Sequence, residues 1–528
     1  MIAAGRAELA RGLLGGCVTL AMTVLLLAPA FGPGHLLHRD FITVPSPSLT
    51  SRTWGWDGSP PRAVPLDAVT ALLAPVLPTG MQQQIMLAAS LVLSGCGVAW
   101  LLRRRGSAEV VVGAALATWS PYAAERLLLG QPPTLLAWSV LPWVLVAVRA
   151  KTRGWRWVGV VVLAALPATL TPFGGLTVAS FAILAAWHMG RPSADLMRLA
   201  VSALLWCLPW LVPAIRGSHG AGDPDGARAF GVSVTGVDEL VDILGGGGVW
   251  AAAADLPSRA GWPALTASGV LVMLAGLGVA ALGHHRVPAM TALLGPPALV
   301  AALATAPGLA LVTAAQSVPG VALFRDTHRV LGLSAFALSL LAPVGLGRLI
   351  RSPMGKGGAL SVLAASGAAV GGVALAVLAA SDAPRLLHQA YTRVTFVPSW
   401  ESVVDTVGDG HALVLPWQPL RQTSWARGQV FLDPLPLALR GPSTSARDLT
   451  VRRGEAELVV GQADPAEASD WRNGKVDAAS LARLGITHVV QWRDTPGVAL
   501  QPTDGLLPVL TTREFQVWHV VDTARRSG

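Results

Sequence analysis

The sequence contains few charged residues. Asp, Glu, Lys and Arg together make up 13% of its 528 residues, whereas soluble globular proteins carry roughly 25%. Hydrophobic residues account for 52%, and the mean hydropathy is +0.54. This shortage of charge excludes a disordered chain, a nucleic-acid-binding domain and an ordinary cytosolic enzyme. It predicts a polytopic α-helical membrane protein.

Cysteine is also scarce, and its three copies predict neither a disulfide framework nor a metal site. Cys17, Cys96 and Cys207 all lie inside apolar stretches, without a partner at ligand spacing. We interpret them as small buried hydrophobic residues. His284 and His285 are adjacent but lack further ligands nearby in the sequence. We therefore predict no cofactor, and leave open only a divalent metal ion.

Long apolar stretches predict about eleven membrane spans, since a span needs about 20 mainly apolar residues. They cover residues 12–31, 82–102, 108–123, 134–148, 157–171, 175–188, 199–215, 264–283, 288–305, 329–347 and 358–380. A cleaved signal peptide is the alternative for the first stretch, because Ala28-Pro29-Ala30 has small residues of the kind found at cleavage sites. A single long helix is the alternative for 157–188, against two short spans joined at Thr171-Pro172.

The basic residues predict the orientation of these spans. With a cytoplasmic N-terminus, arginines and lysines cluster on the short segments that would face the cytoplasm, as the positive-inside rule requires. An odd number of spans then places the C-terminus outside. We predict a multi-pass protein of the plasma membrane.

Composition divides the chain into two parts. Residues 1–380 are predicted to form the membrane domain, with long outer loops at 32–81, 216–262 and 306–328. Beyond residue 381 the apolar stretches end, and shorter segments have the patterns of strands and of one short helix. The strands are predicted at 411–417, 486–492 and 515–521, and the helix at 478–484. We predict an extracytoplasmic α/β domain over residues 381–528.

Polar functional side chains lie in the outer loops rather than in the spans. In the first loop, Arg39 and Asp40 come soon after the first span, and Asp67 comes later. A carboxylate held near the membrane surface is suited to act as a general base, and Asp40 is the acid nearest the end of the span. The alternative is that Arg39 and Asp40 mark the polar boundary of that span.

The scarcity of charge within the spans argues against an ion-coupled transporter.

The short loop after the third span contains Glu125 and Arg126. Arg126 is suited to bind a phosphate, and Glu125 to orient it or a sugar hydroxyl. The alternative is a structural ion pair between these two neighbours. The second outer loop contains Gly245–Gly248, which lacks the flanking residues of a phosphate-binding loop and predicts a flexible or solvated segment.

The third outer loop ends with a group of mostly basic residues directly before the tenth span. Arg325, Asp326, His328 and Arg329 fall within five positions. Arginine and histidine side chains at the membrane surface suit a phosphate or pyrophosphate group, because anion binding requires such donors. Interfacial snorkelling of the long side chains is the alternative.

The order of these motifs resembles the GT-C superfamily of integral membrane glycosyltransferases, and within it the actinobacterial arabinofuranosyltransferase-like membrane proteins. The resemblance covers roughly residues 1–350 and rests on Arg39-Asp40-Phe41, the segment 62–67, Ser120-Pro121-Tyr122 with Glu125-Arg126, and the segment 324–329. It implies a catalytic base at Asp40, donor phosphate-binding residues at Arg126, Arg325, His328 and Arg329, and supporting residues at Arg39, Asp67, Glu125 and Asp326. Many such enzymes pair two acids in the first loop, whereas Asp40 has no adjacent carboxylate.

The resemblance also implies a reaction. A sugar would move from a polyprenyl-phosphate donor to a cell-envelope glycan or lipid-linked acceptor on the outer face of the membrane. The expected partners are the lipid bilayer, the polyprenyl-phosphate-sugar donor and the envelope glycan acceptor, and no nucleic acid. The alternatives are a transporter or flippase of lipid-linked saccharides and a non-catalytic scaffold for envelope assembly.

Overall fold

The structure is a computed structural model that describes residues 2–58, 61, 63–216, 223–316, 318, 321–351, 359–453, 456–461 and 464–521. The segment preceding the C-terminal region is helical. Its α-helices are α1 (Ile2–Leu27), α2 (Leu66–Leu73), α3 (Thr79–Leu102), α4 (Ser107–Thr118), α5 (Pro121–Leu128), α6 (Pro132–Ser139), α7 (Leu141–Val148), α8 (Gly154–Ala165), α9 (Pro172–His188), α10 (Ser193–Arg216), α11 (Asp225–Phe230), α12 (Val237–Leu244), α13 (Trp262–Ala280), α14 (Arg286–Ala304), α15 (Ala306–Ala315), α16 (Leu331–Arg351) and α17 (Ala359–Ala379).

Every predicted span coincides with a helix. Among the described residues, seven helices are long and apolar enough to cross a membrane, namely those built on α1, α3, α10, α13, α14, α16 and α17. The other four predicted spans are the shorter helices α4, α6 with α7, α8 and α9. The prediction of a polytopic helical membrane protein is confirmed. The apolar helix α15 was not predicted, and it occupies the beginning of the third outer loop.

The 157–188 region forms two helices rather than one. The backbone is extended at Thr171, whose hydroxyl accepts a hydrogen bond from the amide of Gly174 and caps α9. Pro172 follows and cannot continue the preceding helix. The valine and alanine faces of α8 and α9 then pack in one core cluster.

Helices α13 and α16 pack backbone to backbone at the centre of the bundle. A β-carbon at Gly345 would overlap the carbonyl of Leu274, and one at Gly278 would overlap the carbonyl of Leu341. Small residues permit this close approach between helices in membranes. This packing fixes α16 against α13. Asp326 and Arg329 come just before the first turn of α16.

Ion pairs join predicted cytoplasmic segments to one another and to the start of α4, at one end of the bundle. Arg104 Nε lies 3.2 Å from Glu8 Oε2, and Arg351 Nη1 lies 2.5 Å from Glu109 Oε1. Glu8, Arg104 and Arg351 belong to segments that the positive-inside rule assigns to the cytoplasm, and Glu109 lies at the adjoining start of α4. The segments thus lie together as predicted, while the side of the membrane on which they lie stays a prediction.

The C-terminal region contains a mixed five-stranded sheet. The helices of this region are α18 (Ala383–Ala390), α19 (Ser399–Val407), α20 (Leu435–Ala438), α21 (Ala468–Arg472) and α22 (Ala478–Arg483). The strands of the whole chain are β1 (His35–Leu36), β2 (Arg393–Val394), β3 (Ala412–Leu415), β4 (Leu420–Gln422), β5 (Val430–Leu432), β6 (Ser443–Thr444), β7 (Leu449–Arg453), β8 (Ala456–Val460), β9 (His488–Trp492), β10 (Leu506–Thr511) and β11 (Phe515–Val520). The sheet has the order β10-β11-β9-β3-β6, in which β3 runs parallel to β6 and β9 and the other pairs are antiparallel.

Both faces of this sheet are covered. Leu413 and Leu415 pack with α21 and α22 on one face, while Ala412 and Val414 pack with α19 and α20 on the other. Because successive side chains of a strand point to opposite faces, a fully apolar strand such as β3 indicates a sheet between two helical layers. The three predicted strands and the helix at 478–484 are confirmed as β3, β9, β11 and α22.

The tryptophans of this region belong to its cores. Those that are buried are Trp400, Trp417, Trp471, Trp492 and Trp518. Trp425 is half-buried between Phe396 and Phe431. Aromatic rings that fill a core are not available as stacking surfaces for a glycan, so these residues stabilise the domain.

The predicted orientation can be tested with single cysteines in a variant whose native cysteines are replaced by alanine. Ser402 is exposed on α19 and Lys151 is exposed after α7. We expect a membrane-impermeant maleimide to label Ser402→Cys in intact cells, and Lys151→Cys only after permeabilisation, because the positive-inside rule places them on opposite sides. The reverse labelling pattern would overturn the orientation.

Candidate active site

Asp40 lies at the tip of a tight turn in the first outer loop. The turn is closed by two main-chain hydrogen bonds between His38 and Phe41, of 3.2 and 2.8 Å. Arg39 has a φ of 49°, in the left-handed region that residues other than glycine rarely adopt. The Asp40 side chain is exposed. The turn thus presents a carboxylate at the surface on a backbone of defined shape.

Contacts from two elements, β5 and α5, hold this turn. The Arg39 amide donates to the Val430 carbonyl at 2.9 Å, and the Leu432 amide donates to the Arg39 carbonyl at 2.8 Å. His38 Nε2 lies 2.8 Å from the Leu128 carbonyl at the end of α5. Since a carbonyl only accepts, Nε2 carries the proton. Burial lowers the pKa of His38 to about 4, so this ring is neutral at physiological pH.

Gln131 connects Asp40 to a buried arginine. Its Nε2 donates to Asp40 Oδ2 at 3.4 Å, and its Oε1 accepts from Arg126 Nη1 at 2.9 Å. Nothing in the sequence singled out Gln131. Its role becomes visible only because the turn of the first loop packs over the segment between α5 and α6.

Arg126 and Asp326 form a buried ion pair. Arg126 Nη1 and Nη2 donate to the two carboxylate oxygens of Asp326 at 2.5 and 2.9 Å, and the arginine side chain is 0% exposed. Burial by itself would raise the pKa of Asp326, but the charges of Arg126 and then Arg329 outweigh it and hold that pKa well below its usual range. The Nε atom of Arg329 lies 3.3 Å from Asp326 Oδ2. Asp326 is therefore an ionised carboxylate between two guanidinium groups.

His328 and Glu125 continue this network inward. Arg126 Nη2 lies 2.7 Å from His328 Nδ1, and the imidazole ring stacks on Tyr122 with centroids 5.3 Å apart. A guanidinium group only donates, so Nδ1 accepts and the histidine proton is on Nε2. That atom lies 3.3 Å from Glu125 Oε2. His328 is thus a neutral ring between a cation and a carboxyl group.

Glu125 is fully buried beneath the second outer loop. Its Oε2 accepts a hydrogen bond from the Val249 amide at 3.1 Å. Burial, reinforced by the negative charge of nearby Asp242, raises the pKa of Glu125 well above its ordinary value. Asp242 itself pairs with Arg259. This environment favours the protonated form of the Glu125 carboxyl group.

One open alternative and one prediction for this region do not agree with the structure. Glu125 and Arg126 do not pair with each other, because adjacent residues of a helix do not face one another; Arg126 pairs with Asp326 instead. The Gly245–Gly248 segment is not a solvated loop, since its first three glycines are buried. A side chain at Gly247 would overlap Arg259 and Asp242, so the glycines allow the loop to lie close to that ion pair.

Arg39, Arg325 and Arg329 keep exposed surface. Arg39 Nη2 donates to the Ala253 carbonyl at 3.3 Å. The guanidinium group of Arg329 lies 5.3 Å from the Phe173 ring, and that of Arg325 lies 4.3 Å from the Phe230 ring. Asp40 is close enough to Arg329 for their charges to interact. By contrast, Arg126 and His328 are 0% exposed, so a ligand would reach them only through a rearrangement.

Asp67 lies apart from this group. It belongs to α2, and the preceding Val64 packs against Cys207 and Trp210 of α10. Burial raises the pKa of Asp67 to about 6, and Arg52 is the charge that acts against this increase. Of the predicted site residues, the structure brings together Arg39, Asp40, Glu125, Arg126, Asp326, His328 and Arg329, whereas Arg325 lies against Phe230 of α11. Arg62 lies outside the described residues. Within the described ranges, no three His, Cys, Asp or Glu side chains form a group that could hold a metal ion.

Comparison with known proteins shows similarity in fold. No protein-family model and no curated protein sequence matches this chain. Among solved structures, the chain is similar to the cryo-EM structure of the arabinofuranosyltransferase AftD from mycobacteria, with a TM-score of 0.58 and 16% sequence identity. The similarity covers 97% of this chain and 40% of the AftD chain, so this chain spans well under two thirds of AftD. It shows that the fold of this chain is similar to that of part of the arabinofuranosyltransferase AftD.

We expect Asp326→Asn to destabilise the protein by about 3–5 kcal/mol, because Arg126 would be left buried without a counter-charge. The measurement is the thermal unfolding midpoint of the detergent-solubilised protein. The control is Asp225→Asn, which removes one partner of the exposed Arg228–Asp225 pair and should cost less than about 1 kcal/mol. Equal losses in the two variants would contradict a dominant buried pair.

We expect Glu125→Gln to fold normally and to change how stability depends on pH. The raised pKa favours the neutral form of Glu125 in the folded protein, whereas the unfolded chain ionises it above about pH 4.3. Wild-type protein should therefore lose stability relative to the variant as pH rises from that value toward the folded pKa. Unfolding midpoints of both proteins across this range provide the measurement. A difference that does not change with pH would show that Glu125 is ionised in the folded state.

Proposed function

We propose that this membrane protein is a glycosyltransferase that moves a sugar from a polyprenyl-phosphate donor to a cell-envelope glycan or lipid-linked acceptor on the outer face of the membrane. The shared fold with mycobacterial AftD, an arabinofuranosyltransferase, supports the class of reaction. The observation that carries the proposal is the exposed Asp40 carboxylate on a backbone-fixed turn beside Arg329.

Asp40 is the proposed general base. The acceptor hydroxyl oxygen would attack the anomeric carbon of the donor sugar, its proton would pass to Asp40, and the bond to the phosphate oxygen would break with its electron pair. A base of this kind must be held within hydrogen-bond reach of the hydroxyl. The turn between His38 and Phe41 fixes the position of Asp40, and the exposed side chain of Asp40 leaves room for an acceptor.

Arg39, Arg325 and Arg329 are the proposed contacts for the donor phosphate. A leaving phosphate gains negative charge in the transition state, and fixed cations next to it stabilise that charge. Arg329 is positioned by Asp326, which is ionised and bonded to Arg126. In this proposal Arg126 and His328 act by holding Asp326 and Arg329 in place rather than by touching the phosphate.

An aromatic surface lies beside these cations. Phe324 is 47% exposed and packs edge to face against Phe173, on which the Arg329 guanidinium rests. Phe173 is at the start of α9, immediately after the break at Thr171. Apolar rings next to a phosphate-binding group suit a substrate that joins a charged headgroup to an apolar chain. This surface supports a lipid-linked donor rather than a soluble sugar nucleotide.

We expect Asp40→Asn to reduce sugar transfer about 100-fold or more, as is usual when a general base is lost. Membranes containing wild-type or variant protein are incubated with a panel of labelled polyprenyl-phosphate sugars, and transfer to acceptor is counted. The matched control is Asp238→Asn, which removes an exposed acid of the second outer loop and should leave transfer unchanged.

Two results would contradict this proposal. Equal transfer by wild type and Asp40→Asn would remove Asp40 from the chemistry. Absence of transfer from every donor by folded wild-type protein would contradict an enzyme, and would favour the transporter or scaffold alternatives.

A further inference from the structure

The turn that presents Asp40 is attached to the C-terminal region by its main chain. Both backbone hydrogen-bonding groups of Arg39 are bonded to β5, through the Val430 carbonyl and the Leu432 amide. Phe431, the residue between them, is 0% exposed and packs in one cluster with Leu37. Arg39 thus lies against β5 like a short additional strand.

A second contact fixes the chain just before the turn. β1 pairs antiparallel with β2, with His35 opposite Val394 and Leu36 opposite Arg393. Val44, just after the turn, is buried in the core between the sheet and α19. The segment 35–44 is therefore held by the C-terminal region before, at and after Asp40.

A buried ion pair anchors the β4–β5 hairpin. Arg421 in β4 donates from Nε and Nη2 to Asp433 Oδ2 at 3.0 and 2.8 Å, and from Nη1 to the Pro416 carbonyl at 3.0 Å. Asp433 Oδ1 accepts from the Leu435 amide at 3.0 Å. Arg421 is 1% exposed. These bonds tie both strands of the hairpin to the end of β3 and to the start of α20.

The left-handed conformation of Arg39 requires such support. Residues with a side chain adopt it at an energetic cost, and they keep it only where the surroundings impose it. The two hydrogen bonds to β5 are the contacts that fix the Arg39 backbone, and the hairpin can offer them only while β5 is held in place. The position of Asp40 follows from that of Arg39, its neighbour in the chain.

We infer that the C-terminal region is a structural part of the active site, in which the buried Arg421–Asp433 pair positions Asp40 through the β5–Arg39 hydrogen bonds. Arg421 and Asp433 are positioning residues, since their contacts are within the hairpin and its supports. The catalytic consequence rests on the proposed function, whereas the positioning of the turn does not.

Hydrogen–deuterium exchange of the full-length protein in lipid nanodiscs tests the positioning. We expect Asp433→Asn to speed exchange of the amides in residues 36–44 about tenfold, because local opening becomes easier when the hairpin loses its anchor. The matched control is Asp405→Asn, which removes the exposed Arg440–Asp405 pair of the same region and should leave the exchange of 36–44 unchanged. Unchanged exchange in folded Asp433→Asn protein would overturn the inference.

Leu432→Pro is the second variant and decides the question if Asp433→Asn does not fold. It removes the amide that donates to the Arg39 carbonyl and introduces no unpaired charge. The same acceleration over residues 36–44 is expected, and its absence would overturn the inference.

Kinetics separate this inference from the proposed function. If Asp40 is the base, displacement of its turn should lower kcat up to about 100-fold, because misplacement by even 1 Å impairs a catalytic group. The donor KM should rise as well, since Arg39, a proposed phosphate contact, moves with the turn. Faster exchange with unchanged kcat would overturn the catalytic consequence for Asp40. A failure of the proposed function is detected separately, by equal transfer in wild type and Asp40→Asn.

Discussion

The buried ion pair between Arg126 and Asp326 is the interaction on which the surface around Asp40 depends. It joins two residues that are 200 positions apart, Arg126 in α5 and Asp326 directly before α16. A buried charge is stable only when paired and hydrogen-bonded, so each partner restricts where the other can lie. Gln131 and Arg329 are bonded to the two members of the pair, and Asp40 is reached through Gln131.

The protonation states of the surrounding groups keep charge near the surface. Burial next to Asp242 favours the neutral form of Glu125, and His328 is neutral because Arg126 occupies its Nδ1. The positive charge of Arg126 is balanced by Asp326. The cations that remain accessible are Arg39, Arg325 and Arg329. An anionic headgroup approaching Asp40 would therefore meet Arg39 and Arg329 first, and the buried network holds Arg329 through Asp326.

The C-terminal region and the first loop of the membrane domain are in direct contact. The C-terminal sheet follows α/β packing rules, with helices on both faces, and its tryptophans fill cores instead of forming a glycan-stacking surface. Its hairpin β4–β5 bonds to the first outer loop beside Asp40. The region that a composition change marks as separate is thus joined to the candidate site by main-chain hydrogen bonds.

The sequence by itself determined the membrane helices, the break at Thr171, three strands of the C-terminal sheet and the loop segments that carry the candidate site, because hydrophobic periodicity and turn residues act locally. Only the tertiary structure decided that Arg126 pairs with Asp326 rather than Glu125, that Gly245–Gly248 is buried, and that Gln131 and β5 contact the Asp40 turn. These contacts join segments distant in the chain, and no local pattern encodes them. Their partners are selected by the cost of leaving a buried charge or main-chain group unsatisfied, which depends on the packing of the whole fold.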